Sequence, residues 1–273
     1  MCARIIAIVN QKGGVAKTTT TFNLGARLVQ KGYEVLAVDC DPQASLTNAM
    51  GIAHPDKLTN TLTEAMMAEI NDETYPQEYG IHRHEEGIEL FPANITLSGV
   101  ELSLFNAMNR EYILRNVLEK VRSDYDYILL DCSPSLGLMT INALAAANIV
   151  IIPCQPGYLE SKGLDLLLGS AKKVIRRINP NLCIGGILFT MVDRRTNNAK
   201  DIIGYFRNEV GEHIRVFETE IPRSVRAAEA SQAGQSIFAY DKDGKVAKTY
   251  AEFAEEVLEL ERETYRSRDD GAR

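Results

Sequence analysis

Uniformly apolar runs of strand length alternate with stretches of helical spacing along the chain. The runs are 4–10 (RIIAIVN), 34–39 (EVLAVD), 88–94 (IELFPAN), 125–131 (YDYILLD), 148–154 (NIVIIPC), 183–192 (CIGGILFTMV) and 216–221 (VFETEI). Each is rich in Val, Ile, Leu or aromatic residues and predicts a strand. Helical periodicity follows the first run as far as Lys31, leads from the third to Arg122, and returns at 139–147, up to Arg177, at 199–210 and at 249–265. The stretch after EVLAVD reads as a loop. Strands so evenly apolar have no wet face, so the pattern predicts an α/β fold: a doubly wound, mostly parallel sheet with helices on both faces. Ligands of such sheets gather at the carboxyl ends of the strands.

With 273 residues, 45% hydrophobic and 25% charged, the composition is that of an ordinary globular protein. A single domain over 1–265 is expected, followed by a flexible tail at 266–273. The acidic stretch near 71–87 breaks the alternation, reads as disordered and carries no role that can be argued. The N-terminus lacks a charged segment leading into an apolar one, and no run approaches the ~18 apolar residues of a membrane span, so a cytoplasmic location is expected. Cys2, Cys40, Cys132, Cys154 and Cys183 are scattered with no C-x-x-C pair, which favours buried free thiols over disulfides or metal ligands. The net charge of −7 argues against a surface coated for nucleic acid. Yet 172–226 holds eleven Lys and Arg against six Asp and Glu, which leaves room for a local basic face.

The chemistry concentrates first in Gln11-Lys12-Gly13-Gly14-Val15-Ala16-Lys17-Thr18-Thr19, between the first strand and the first helix. A glycine-rich turn there aims backbone N–H groups inward, and the helix N-terminus adds partial positive charge, which together cradle a polyphosphate. Lys17 would neutralise the outer phosphates and the Thr18 hydroxyl would ligate Mg²⁺. The usual pattern G-x-x-x-x-G-K-[ST] is not met, because Gln11 and Ala16 stand where it has glycine. Lys12 is a second lysine in a loop that already has one. Ala16 is tolerable if its backbone is helical and strained if it needs a positive φ.

Carboxylates end two further strands: Asp39 and Asp41 in VDCDPQ, and Asp131 in ILLDCSPS. One Asp at a strand end is commonly a cap for the following turn. Three beside a lysine-flanked phosphate loop suit Mg²⁺, which keeps waters that neighbouring acids orient. Phosphoryl transfer to water at such a site would rest on positioning and charge neutralisation, so slow intrinsic turnover is expected.

The loop resembles the deviant Walker A pattern K-G-G-x-x-K-[ST], and within that group the ParA/Soj partition ATPases. The blocks NQKGGVAKTTTTFNLGARL, VDCDPQASLTNAMG, YDYILLDCSPSLGLMTINALAAA, GILFTMVDRRTN and IPRSVRAAEASQAGQSI extend the resemblance over nearly the whole chain. It implies a P-loop NTPase fold and an ATPase with ATP and Mg²⁺ held by Lys12, Gly13, Gly14, Val15, Ala16, Lys17, Thr18 and Thr19. Lys12 would reach the nucleotide of the partner subunit in an ATP-dependent homodimer. Asp41 would be catalytic with Lys12 and Lys17, and Thr18, Asp39 and Asp131 would surround the metal. Met191 and Pro222 would lie near the adenine. The resemblance further implies nonspecific binding to double-stranded DNA through Arg195, Arg223 and Arg226, nucleoid association in the ATP state, and a ParB-type partner that stimulates hydrolysis. The chain is similar to the short form without an N-terminal helix-turn-helix. Phosphate contacts of this kind are sequence-blind and steeply salt-dependent. Lys and Arg on helices are also, more simply, a solvated face.

The same core serves other tasks. A MinD-like protein calls for a basic amphipathic C-terminal helix, whereas EEVLELERETYRSRDD is rich in acid, so no membrane partner is expected. A carrier of iron–sulfur clusters needs paired cysteines in ligand loops, and Cys132 has no such companion. A tyrosine kinase would carry a tyrosine cluster where Tyr265 stands alone. A small-molecule synthetase, or a scaffold that binds ATP without needing its hydrolysis, stays open.

Overall fold

The first strand, β1 (Arg4–Ile8), lies in mid-sheet because both of its faces are apolar: Ile5 and Ala7 enter one core, Ile6 and Ile8 the other. The structure, a computed structural model, describes residues 3–75, 80–157 and 160–271. The remaining strands are β2 (Val35–Cys40), β3 (His82–Arg83), β4 (Glu89–Phe91), β5 (Tyr127–Cys132), β6 (Ile149–Cys154), β7 (Cys183–Val192) and β8 (Val216–Pro222). Their order in the sheet is β3-β4-β2-β5-β1-β6-β7-β8, and every pairing is parallel except β3 with β4. The chain winds outward from β1 in both directions, so the carboxyl ends around β1 form the crevice where such sheets bind ligands.

The helices are α1 (Lys17–Gln30), α2 (Ser45–Ala49), α3 (Leu62–Ile70), α4 (Leu97–Leu104), α5 (Ile113–Glu119), α6 (Leu138–Ala146), α7 (Glu160–Arg177), α8 (Asn197–Tyr205), α9 (Val225–Gln232), α10 (Ile237–Tyr240) and α11 (Lys245–Gly271). Leu62, Val100, Leu114, Leu144 and Leu167, from α3 to α7, close the first core. On the opposite face, α11 presents Val246, Ala247, Tyr250, Phe253, Ala254 and Val257 at helical spacing, all buried against α1 and β8. Burying a side chain of Phe size contributes roughly 2–3 kcal/mol, and Phe217 of β8 meets Phe253 edge-on at 5.0 Å.

The structure differs from the sequence pattern in several places. The stretch after β2 is not a plain loop: it carries α2 and α3. Thr61 caps α3, its Oγ1 accepting from Thr63 N–H at 3.2 Å while the Glu64 carboxylate accepts from Thr61 N–H at 2.8 Å. Within 71–87, residues 80–87 end in a hairpin, β3 to β4, whose turn uses Gly87 at φ 87°. His84 packs edge-on to Phe22, and Glu86 accepts from Ser236 N–H at 2.8 Å, which ties the hairpin to α1 and α10. Residues 76–79 lie outside the described chain. Helix α8 ends in one wider π-turn, Phe206–Val210. Finally α11 reaches Gly271, into the segment expected as a tail, whose residues 272–273 lie outside the described chain.

Cys40, Cys132 and Cys154 are buried free thiols and Cys183 is a half-buried one, as the scattered spacing predicts; Cys2 lies outside the described residues. Edge strand β8 is tied along its backbone by side chains. The Glu256 carboxylate of α11 accepts from the N–H groups of Glu218 and Thr219, both at 2.8 Å.

Candidate functional site

The loop between β1 and α1 is built by opposed restraints. Asn10, two residues past β1, accepts from Lys12 N–H at 2.9 Å and donates its side-chain N–H to the Pro153 carbonyl at 2.6 Å, fixing the loop's start to the end of β6. Gly14 turns at φ 73°, and a Cβ built at Gly13 or Gly14 would meet no atom within 4 Å, so both line open space. Ala16 also adopts the left-handed conformation, φ 63° and ψ 33°. Of the two conditions set by the sequence, the strained one holds, and a methyl group there costs about 1–2 kcal/mol relative to an unstrained backbone.

Helix α1 starts at Lys17 with no side-chain cap and no acid in its first turn, which leaves N–H donors and the positive end of the dipole facing the loop. Lys17 is buried and donates to the Lys12 carbonyl at 3.0 Å. Burial pushes its ammonium below the ordinary lysine value, while the Asp131 carboxylate pulls the other way. Lys12 is exposed on the outer side of the loop. Thr19, in the first turn, accepts from Asn23 through its carbonyl at 2.7 Å.

Strand pairing assembles the acids. In the parallel register of β2 and β5, Asp39 lies opposite Asp131, while Ile8 of β1 flanks Asp131 on its other side. Asp131 accepts from the Thr18 hydroxyl at 2.6 Å. Asp39 accepts from Thr47 through both backbone N–H and hydroxyl at 2.8 Å, and from Asp41 N–H at 3.2 Å, so it faces α2 rather than Thr18. Burial raises both carboxylates above the ordinary aspartate range, and their mutual repulsion adds to the rise at Asp131. Such a pair gains from an incoming cation. Asp41, one step beyond β2, is buried and accepts from Gln43 N–H at 3.0 Å.

Met191, Pro222, Arg195 and Arg223 line one groove of about 1000 Å³ between the ends of β7 and β8. Met191 sits at its inner end, where its sulfur receives the Gln155 side-chain N–H at 3.0 Å. Arg195 is on the rim, 90% exposed, and clasps Asp193 at 2.9 and 2.8 Å, holding that carboxylate down to about 2. Arg226 stands outside this groove, paired with Glu229 at 3.4 Å and stacked 6.0 Å from the Tyr240 ring. The arginines are thus split into two positions. Sequence reasoning missed Asn10, Thr47, Gln155 and Thr190; Asn10 and Gln155 each follow an apolar strand by one or two residues, which was the available signal.

Comparison with known proteins places the chain among its relatives. A profile of the AAA domain family matches residues 3–184. The sporulation initiation inhibitor protein Soj of Bacillus subtilis is 41% identical over 258 residues, 93% of this chain and 98% of Soj. The chromosome partitioning protein ParA of Myxococcus xanthus is 41% identical over 93% of this chain and 88% of its own. Among solved structures, cobyrinic acid a,c-diamide synthase of Mycobacterium smegmatis with bound ATP analog and magnesium superposes with a TM-score of 0.81 at 36% identity, over 94% of both chains. The septum site-determining protein MinD of Pyrococcus horikoshii with Mg-ADP gives 0.72 at 25%, over 96% of this chain and 98% of MinD. With a lysine-flanked phosphate loop, paired strand-end carboxylates and this extent of identity, the chain belongs to the ParA/Soj family of partition ATPases.

Proposed function

We propose that this ATPase is a dimerisation switch for DNA partition. One observation carries the reading: the loop, Lys17, Thr18, Asp131, Asp39 and Asp41 converge at the carboxyl ends of β1, β2 and β5. Open space over Gly13 and Gly14 and the uncapped start of α1 suit a triphosphate. Met191 and Pro222 would flank the adenine at the inner end of the groove. Thr18 and Asp131 offer the hard oxygen donors that suit Mg²⁺, and the raised carboxylate would regain its charge beside a cation. Among the described residues no cluster of three His, Cys, Asp or Glu could hold a metal by itself, which fits an ion that takes its other ligands from water and phosphate. Bound there, Mg²⁺ would neutralise phosphate charge.

The rest is done by the chain's own groups. Lys17 places its ammonium against the outer phosphates. Asp41 orients the attacking water, held in place by its bond from Gln43 N–H. Lys12, exposed on the loop, would reach the nucleotide of a second copy. The resulting homodimer would align the Arg195 and Arg223 rims and the Arg226 position into a basic surface for nonspecific double-stranded DNA. A ParB-type partner would stimulate hydrolysis and release. Such a protein would be cytoplasmic and associated with the nucleoid in its ATP state. No described helix is long and apolar enough to cross a membrane.

The testing experiment is retention on nonspecific duplex DNA with ATP, with ADP and without nucleotide, over a salt series. The expected result is retention with ATP alone, falling steeply with salt. A second reading, an ATP-dependent small-molecule synthetase, draws support from the 36% identity to the diamide synthase structure. DNA indifference in all three nucleotide states would move the weight there.

A further inference from the structure

The carbonyl groups of the phosphate loop are held from outside, by strands that carry none of the acids. Thr190 of β7, fully buried, donates its hydroxyl to the Val15 carbonyl at 2.9 Å and lies 3.4 Å from that of Cys154. Gln155, one residue past β6, donates its side-chain N–H to the Gly14 carbonyl at 2.7 Å, and the same nitrogen lies 3.0 Å from the Met191 sulfur. In a trans peptide unit the carbonyl and the following N–H point in opposite directions, and the described chain has no cis peptide. Holding the Gly14 carbonyl toward β6 therefore turns the Val15 N–H away from β6, and holding the Val15 carbonyl toward β7 does the same for the Ala16 N–H. The two donors set the aim of two consecutive N–H groups in the loop.

From this geometry, and resting on the nucleotide site proposed above, we infer that Gln155 is a positioning residue: it orients the Val15 N–H of the phosphate loop and joins it, through Met191, to the groove proposed for the base. The amide has no role in the chemistry itself. Met191 holds a left-handed backbone, φ 52°, which costs a non-glycine residue free energy. Because the loop side of the link acts on phosphate alone, its removal should weaken any triphosphate, with or without a base.

The test is Gln155→Leu, which keeps the volume and deletes the donor, compared with the intact chain by titration with MgATP and with magnesium tripolyphosphate. Loss of one such hydrogen bond is expected to weaken both ligands by about tenfold. KM for ATP should rise by a similar factor, with kcat at saturation within about twofold of the original. The nucleotide-free melting temperature should not move, which a merely structural role would not allow. Unchanged affinity for both ligands would overturn the inference, as would loss confined to MgATP or a lowered nucleotide-free melting temperature. If the intact chain itself binds neither ligand, the nucleotide site fails, and this inference with it. Intact binding with an indifferent Gln155→Leu variant sinks the inference alone.

Discussion

At the scale of single residues, Ala16 is where the chain departs from what its backbone asks. Its left-handed conformation suits glycine, yet alanine occupies it. Ala16→Gly removes the steric cost and adds the larger entropy loss of glycine, so a net gain of about 0.5–1 kcal/mol is expected in urea unfolding without nucleotide. A loss of stability would mean that the methyl group is packed rather than strained. Two of the three charged residues assigned to turnover, Asp41 and Lys12, separate by experiment. Asp41→Ala should still bind ATP and dimerise but lower kcat by roughly 10²-fold or more, since only the positioning of water is lost. Lys12→Ala should leave nucleotide binding by the monomer intact while hydrolysis and DNA retention disappear; parallel loss of nucleotide binding would place Lys12 in its own subunit's site instead.

At the scale of elements, the long C-terminal helix contains an acid in the wrong medium. Glu261 is buried, accepts from the Tyr127 hydroxyl at 2.6 Å through one oxygen, and its other oxygen has no hydrogen-bond partner among the described residues. Burial raises its pKa above the ordinary glutamate value, opposed by Tyr127 and by the charge of Arg4. The folded state therefore holds a proton that the unfolded state releases. Stability from this group is complete below the ordinary glutamate value and is lost as pH rises through the raised one. Glu261→Gln should flatten that part of the stability–pH curve and match or exceed the original at neutral pH, read from urea midpoints. The elements themselves were largely legible. Every apolar run became a strand, because burial on both faces leaves a pattern that needs no tertiary knowledge. Helix α3 was missed, its stretch read as a loop, although the T-x-x-E spacing of Thr61 and Glu64 is the signature of a helix start. Strand β3 was not legible, since two residues pairing at a sheet edge leave no period to read. Of the site, the loop and the three acids stood out by their places at strand ends. Asn10, Gln155 and Thr190 act through backbone carbonyls that only the fold brings near, so residue type alone gave no hint of them.

At the scale of the whole molecule, charge and edges decide how the protein meets others. The chain carries −7 overall, and the stretch 172–226, which includes β7 and β8, is one of its basic parts. Arg195 is engaged with Asp193 through Nε and Nη2, so a phosphate would meet its remaining donors or compete with that carboxylate. Replacing Arg195 and Arg223 together by alanine should reduce the salt dependence of DNA retention by about two units of slope, with little change in ATP turnover without DNA. An unchanged slope would remove both from the DNA surface. The sheet ends in β8, and the carboxylate of Glu256 covers two of its backbone N–H groups. Uncovered, those donors would offer a template on which strands from other molecules could add. Glu256→Ala should therefore show its effect in crowds rather than in isolation: light scattering that grows with protein concentration on mild heating, from a chain whose dilute solutions still turn over ATP. A single helix side chain would then set how concentrated this ATPase can be before it begins to polymerise through its own edge.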